Sequence, residues 1–415
     1  MSTPTWAAFG RVFGRIGLLS FGGPAAQIAL MHKELVEDRH WLSETLYLRA
    51  LSLCMLLPGP EAMQLATYAG WRMRGVAGGL LAGLLFVIPG ALVIALLAFG
   101  YATYGQLPLV QAAFLGIKAA VIVVVFQALR KVASKALIGL QGWSLALLSF
   151  SGLFVFGLPF PLIILVAGLW GMRSPLIADV PPQTLPHTKT NSAWTLTIWS
   201  LLWVFPLGIL WALDQDFLLQ LGLFFSTLAL VTFGGAYAVL AYMTQTVVQD
   251  YGWISTNQMI DALGLAETTP GPLILVTEFV ALLAGFAQSG IAGAIAAGLL
   301  ALWVTFTPCF LWIFLAGPYL ERIAAHQRLA GALQAITAAV VGVISNLSIW
   351  FALHVLFDTV RQPALFALPL PDWSSFNLVA LAFTLLAALL MLLLKWGFVS
   401  TMAALTTVAV IVSQL

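Results

Sequence analysis

The feature that most restricts the fold of this chain is a succession of apolar stretches, each about 20 residues long, that recur along nearly its whole length. Hydrophobic residues occupy 61% of the 415 positions, and charged residues only 8%. A soluble protein of this length could not bury so much apolar surface. The chain is therefore predicted to be an all-α, polytopic integral membrane protein whose solvent is the lipid bilayer.

A proline-rich polar stretch predicts the only domain boundary. Four prolines with polar neighbours lie between Arg173 and Asn191, a composition typical of an exposed linker. We therefore divide the chain into an N-terminal membrane repeat (1–172), a polar linker (173–192) and a C-terminal membrane repeat (193–415). Uninterrupted spans are predicted at 76–103, 109–130, 134–156, 159–172, 290–319, 330–357, 376–393 and 396–413, with one extra span at 194–213 that precedes the second repeat.

An internal duplication relates the two halves. The motifs Phe21–Gly23 and Pro58–Pro60 recur 212 positions later as Phe233–Gly235 and Pro270–Pro272. Of the 40 positions from 21 to 60, 16 are identical to the positions 212 residues further on. Chance does not produce such identity at a fixed register, so the halves are homologous repeats.

The distribution of basic residues predicts that the repeats are inverted in the membrane. Lysine and arginine collect on the cytoplasmic side of short loops. The first repeat carries Lys33, Arg39 and Arg49 after its first motif, whereas no lysine or arginine occurs between Lys189 and Arg322. Equivalent loops of the two repeats are thus expected on opposite sides of the membrane. The extra span at 194–213 adds one crossing, which inverts the second repeat relative to the first, as in many secondary transporters.

The two Pro-Gly-Pro motifs predict broken or re-entrant helices. Proline removes amide donors and glycine admits unusual dihedral angles, so a helix ends there. An isolated motif could be a simple proline kink, but matched breaks in two repeats indicate a binding site formed by discontinuous helices. Helix N-termini at such breaks suit an anion. The break residues predicted to bind substrate are Gly22, Gly23, Pro58, Gly59, Pro60, Gly234, Gly235, Pro270, Gly271 and Pro272.

Five charged side chains near the breaks are further candidates. Lys118 lies within an apolar span, where it should face a cavity or a carboxylate, and it is predicted with Arg72 and Arg74 to bind substrate. The alternatives are a structural Lys–Glu pair for Lys118 and interfacial anchoring for the two arginines. Glu61 and Glu267 are the proton-coupling candidates, although Glu61 could equally cap a helix and Glu267 could be structural.

Several other functions are disfavoured. The net charge of +2 and the scattered basic residues give no nucleic-acid footprint. The two cysteines lie far apart and form no metal-binding pattern, so neither a metal nor a cofactor is expected. An intramembrane enzyme would need a converging nucleophile, metal or carboxylate pair. No His-Glu-x-x-His or Gly-x-Ser-x-Gly motif is present.

Four segments together closely resemble the signatures of the chromate ion transporter family, in its long two-domain form. They are Phe21-Gly-Gly-Pro-Ala-Ala-Gln-Ile-Ala-Leu-Met-His, Trp41-Leu-Ser, Leu57-Pro-Gly-Pro-Glu-Ala and Phe86-Val-Ile-Pro-Gly. The second-half segments beginning at Phe233 and Glu267 look like the C-terminal domain of that family. The resemblance implies a multi-pass protein of the bacterial inner membrane that exports chromate and gives chromate tolerance.

The transport mechanism remains open at this level. The expected activity is secondary active export of chromate, with sulfate as a competitor or alternative substrate, coupled to the proton gradient or the membrane potential. A passive oxyanion channel and a sulfate transporter are the alternatives. A homodimer is one option for assembly, because the sequence does not determine the oligomeric state.

Overall fold

The computed structural model describes residues 4–173, 191–233, 236–320, 326–361 and 369–414, and these residues are mainly helical. In the first half the helices are α1 Trp6–Leu19, α2 Gly23–His32, α3 Glu44–Leu56, α4 Glu61–Tyr104, α5 Pro108–Ala136, α6 Gly139–Phe154 and α7 Phe160–Arg173. In the second they are α8 Ser192–Ala212, α9 Asp216–Val231, α10 Ala236–Thr244, α11 Thr256–Thr268, α12 Val276–Ala316, α13 Gln327–Leu356, α14 Leu378–Ala388 and α15 Phe398–Val412. One short antiparallel pair of strands joins β1 Val360–Arg361 to β2 Leu370–Pro371.

The order of the helices repeats between the halves. The helices α1 to α5 correspond in order to α9 to α13, and α8 is the extra helix predicted before the second repeat. Even irregular turns recur, because π-helical turns follow α2 at Lys33–Glu37 and α10 at Gln245–Asp250. The duplication read from the sequence is therefore also a duplication of local structure.

The long helices α4 and α12 each contain a sharp reversal. Arg74 and Gly75 leave the helical region at φ/ψ of −141°/25° and 64°/−159°, and Ser289 and Gly290 do so at −145°/24° and 63°/−147°. In a straight helix Gly70 and Gly78 would lie about 12 Å apart, yet a Cβ on Gly70 would clash with the carbonyl oxygen of Gly78. Each long helix is thus a hairpin whose short first arm packs against its long second arm.

The structure describes five helices long and apolar enough to cross a membrane, judged by length and composition. They lie at Glu61–Tyr104, Pro108–Ala136, Ser192–Ala212, Leu273–Tyr319 and Gln327–Leu356. The helical membrane fold is therefore confirmed. One boundary was wrong, because the predicted span 134–156 contains the end of α5, a turn and the 16-residue α6. The turn at 137–138 ends at Gly139, the first residue of α6, which adopts a φ of +63° that favours glycine.

The described chain forms two compact units, and each unit draws on both repeats. Unit 1 comprises Met1–Ala98, Pro175–Ala236 and Thr269–Ala330. Unit 2 comprises Phe99–Ser174, Tyr237–Thr268 and Gly331–Leu415. The sequence repeats are thus distributed between the compact units, and both Pro-Gly-Pro motifs belong to unit 1.

Candidate functional site

The breaks between helices in unit 1 depend on glycine. Gly22 and Gly23 separate α1 from α2 with φ values of +83° and +76°. The central glycines of the two Pro-Gly-Pro motifs, Gly59 and Gly271, have φ values of +123° and +88°. These values favour glycine because it has no Cβ. The predicted breaks at 22–23, 58–60 and 270–272 are therefore present in the structure.

Each Pro-Gly-Pro motif is hydrogen-bonded to the other repeat. The N–H of Gly59 donates to the carbonyl oxygen of Thr232 (2.8 Å), and the N–H of Gly271 donates to the carbonyl oxygen of Ser20 (2.9 Å). Thr232 and Ser20 end α9 and α1 and, like the two glycines, are separated by 212 positions. The two hydrogen bonds are equivalent. Within unit 1, each helix break of one repeat is therefore hydrogen-bonded to a helix end of the other repeat.

The motifs also pack against the second arms of the long helices. A Cβ on Gly59 would lie 2.9 Å from Sγ of Cys309 in α12, and a Cβ on Gly90 in α4 would clash with the carbonyl oxygen of Pro270. Gly59 and the whole of 270–272 are buried. Neither break therefore lies in bulk water, in agreement with backbone that leaves a helix only inside protein at membrane depth.

Two buried glutamines satisfy carbonyl groups at the breaks. Nε2 of Gln27 donates to the carbonyl oxygens of Gly271 (2.6 Å) and Ser20 (3.2 Å), and Nε2 of Gln64 donates to that of Pro58 (2.7 Å). Their exposed fractions are 2% and 0%. The Oε1 atoms of both side chains are buried and have no hydrogen-bond partner among the described residues. A buried polar atom of this kind calls for an explanation.

The hydrogen bonds restrict how a break could hold an anion. Proline has no N–H, and both glycine N–H groups are donated to carbonyl oxygens. The amides of the Pro-Gly-Pro motifs are therefore already occupied in this conformation. Amide donors for an anion would instead come from the first turns of α2 and α4, because first-turn amides have no acceptor within their own helix. The start of α12 is different, because the N–H of Val276 donates to carbonyl oxygens of the preceding 3-10 turn.

Three of the charged candidates, Arg72, Arg74 and Glu61, lie in unit 1. Arg72 is exposed and Arg74 is partly buried at the reversal of α4. The guanidinium of Arg74 donates through Nε to the carbonyl oxygen of Pro4 (2.9 Å) and lies 4.3 Å from the ring centroid of Trp6. Glu61 is the first residue of α4. Arg74 thus holds the N-terminal segment, while Glu61 occupies the helix N-terminus expected from the sequence.

The other two charged candidates belong to unit 2. Nζ of Lys118 lies 3.5 Å from Oδ1 of Asp261, so Lys118 faces a carboxylate, as its apolar surroundings predict. Glu267 accepts a hydrogen bond from the hydroxyl of Tyr237 (2.6 Å).

Two predicted site residues lie outside the part of the chain that the structure describes, and the structure also shows buried polar side chains that the sequence did not predict. Gly234 and Gly235 lie outside the described residues. Sequence reasoning missed Gln27 and Gln64. Glu278, which follows the second Pro-Gly-Pro motif in the sequence, is buried (4% exposed) in the first turn of α12. A signal for the glutamines existed, because each lies one helical turn after a break, where its side chain leans back towards the preceding turn.

Comparisons with known proteins agree with this architecture. The family model described as "Chromate transporter" matches residues 7–172 and 219–412. A chromate transport protein of Cupriavidus metallidurans is 31% identical, with 83% of this chain and 82% of the relative covered. A chromate transport protein of Pseudomonas aeruginosa is 33% identical, with 81% and 79% covered. No solved structure matches.

The two matched regions separate between α7 and the start of α9, so they correspond to the two repeats and leave out the linker and α8. The relatives are named as transport proteins. This chain is a membrane transporter and belongs to the chromate transporter family.

Proposed function

We propose that this protein exports chromate from the cytoplasm across a bacterial inner membrane by secondary active transport. The observation that carries the proposal is the equivalent pair of hydrogen bonds from Gly59 to Thr232 and from Gly271 to Ser20. They hold broken helices of both repeats together in unit 1, and binding sites of secondary transporters are typically formed by such helices. The named activity of the relatives supports chromate as the substrate.

The proposed anion donors are the first-turn amides of α2 and α4. The N-terminal end of a helix carries a partial positive charge, which stabilises an anion nearby. We propose further that the two repeats, 1–172 and 193–415, have inverted topology. A change in their conformation opens the site first to one side of the membrane and then to the other. The distribution of basic residues and the odd extra helix α8 support this arrangement.

Everted membrane vesicles test the export direction. Vesicles that contain the protein are expected to accumulate chromate when energised, and excess sulfate is expected to reduce the accumulation because the two anions share shape and charge. Collapsing the proton gradient and clamping the membrane potential separately identify the energy source. Chromate entry that is independent of both would indicate a passive channel, and no entry above protein-free vesicles would refute transport.

Glu267→Gln tests proton coupling. Glutamine has a shape similar to glutamic acid but cannot carry a proton, so proton-driven chromate accumulation is expected to fall to background in everted vesicles. Tyr237→Phe is the matched control, because it removes the hydrogen bond to Glu267 and leaves the carboxyl group; accumulation is expected to persist. Wild-type accumulation by Glu267→Gln, at equal protein in the membrane, would remove Glu267 from the mechanism and leave Glu61 as the candidate.

A further inference from the structure

A cluster of polar side chains in unit 2 joins three helices. The carboxylate of Asp261 in α11 is fully buried, and the side chain of Lys118 in α5 is 13% exposed. Lys118 Nζ lies 3.5 Å from Oδ1 of Asp261 and donates to Oδ1 of Asn257 at 3.1 Å. The hydroxyl of Tyr101, near the end of α4, donates to Oδ2 of Asp261 at 2.7 Å. The cluster therefore contains one cation and one anion.

The ion pair is incompletely hydrogen-bonded. Oδ1 of Asp261 is buried and accepts no hydrogen bond from the described residues, because the hydrogen bond from Lys118 goes to Asn257. A structural ion pair in unit 1 is different, since Arg39 donates directly to the buried carboxylate of Glu34. Buried pairs stabilise a fold only when geometry and hydrogen bonds compensate for desolvation. The Lys118–Asp261 pair is therefore poorly suited to a purely structural role.

The pair joins the two repeats, and the duplication contains no second copy of it. Beyond the motifs the repeats match at an offset of 219 positions, as in Ile117 and Ile336, so the position equivalent to Lys118 is Thr337. The position equivalent to Asp261 is Arg49, so the equivalent pair contains no carboxylate. Ionisable residues within a membrane protein typically form substrate paths or proton relays. A feature present once in a duplicated fold indicates a role beyond holding the repeat together.

We propose that Lys118 exchanges between two anionic partners, the carboxylate of Asp261 and the transported oxyanion, and that a proton on Asp261 releases it. The proposal rests on the proposed function, because it adds a proton-binding step at Asp261, beside the one proposed at Glu267, to that transport. The proton binds Oδ1 of Asp261, which has no hydrogen-bond donor, while Lys118 keeps its own proton. The pair changes from neutral to a charge of +1, and the ammonium group becomes available to an anion.

The surrounding groups are consistent with this exchange. The titratable groups described in contact with Asp261 are Tyr101 from α4 and Lys118 from α5. Tyr101 already donates to Oδ2, so it leaves Oδ1 for the proton. Asn257, in the first turn of α11, is exposed, and Lys118 therefore lies between an exposed amide and a buried carboxylate. Proton and anion should strengthen each other's binding, because linkage is reciprocal.

Chromate binding to the purified full-length protein tests the proposal. Dissociation constants are measured at mildly acidic and at alkaline pH, and each variant is compared with the wild type at the same pH so that protonation of chromate itself cancels. Wild-type affinity is expected to weaken as pH rises, because charged Asp261 retains Lys118. At alkaline pH the variant Asp261→Asn is expected to bind chromate roughly 5- to 150-fold more tightly than the wild type, the range of typical couplings. At acidic pH the variant and the wild type are expected to bind chromate with the same affinity.

Two further variants define the result. Lys118→Met is expected to bind weakly at every pH, and Lys131→Met, which removes an exposed lysine of the same helix, is expected to bind as wild type. Asp261→Asn with wild-type affinity at alkaline pH would overturn the proposal. If that variant does not fold, the double variant Lys118→Met/Asp261→Asn removes both charges together, which is often tolerated.

Proton uptake on adding chromate supplies the second measurement. In weakly buffered alkaline solution the wild type is expected to take up about one proton for each anion bound, by reciprocity, and the double variant none. Equal uptake by both would overturn the exchange. Binding without proton uptake would refute this inference alone, whereas failure of the wild type to move chromate into vesicles would refute the proposed function.

Discussion

Gly59→Ala is expected to abolish chromate accumulation in everted vesicles and to lower the free energy of unfolding. The φ of +123° at Gly59 is unfavourable for alanine, and a Cβ there would lie 2.8 Å from Nε2 of Gln64 and 2.9 Å from Sγ of Cys309. Gln64 could withdraw only by releasing the carbonyl of Pro58. Strain and overpacking each contribute about 1–3 kcal/mol.

Two matched glycines separate the contribution of crowding from that of backbone strain. Gly271→Ala has more room, since its Cβ would lie 3.1 Å from the nearest atom, Cδ1 of Leu275, and a smaller loss is expected. Gly252 also has a positive φ, +61°, but a Cβ there meets nothing within 4 Å, so Gly252→Ala should retain accumulation and lose about 1 kcal/mol. The thermal midpoint in detergent and the vesicle assay should rank the variants in this order. Equal behaviour of all three would contradict a special role for the breaks.

Gln27→Leu is expected to reduce chromate accumulation strongly, because leucine cannot donate to the carbonyl oxygen of Gly271. A buried acceptor left without a partner destabilises the fold by about 1–3 kcal/mol, and here the loss falls on the link between α2 and the second Pro-Gly-Pro motif. Gln64→Leu should act in the same way on the carbonyl of Pro58. The vesicle assay and the thermal midpoint measure the two effects.

Gln288 provides the matched control for these substitutions. It lies exposed next to the reversal of α12, so Gln288→Leu removes the same amide group without leaving a buried acceptor. The expected change in stability is within about 0.5 kcal/mol, with accumulation unchanged. If Gln27→Leu and Gln64→Leu transport like Gln288→Leu, the two glutamines contribute only packing and the break geometry does not depend on them.

The sequence predicted the elements of the candidate site better than their partners. The breaks at 22–23, 58–60 and 270–272 were expected because glycine and proline act on their own backbone. Lys118 was expected to face a cavity or a carboxylate because a lone charge in an apolar span is unfavourable. The structural alternative named a glutamate as the partner of Lys118, whereas the carboxylate in the structure belongs to Asp261. The roles of Arg72, Arg74, Glu61 and Glu267 remain predictions.

Local composition determined the helical membrane fold, the duplication and the places where helices stop, since hydropathy, repetition and backbone preferences are properties of short stretches of chain. The tertiary structure decided which broken end bonds to which. Gln27 reaches Gly271 across 244 positions, and Lys118 reaches Asn257 across 139. Such pairs depend on the packing of whole helices, and the same apolar surface allows many packings, so no local pattern specifies them.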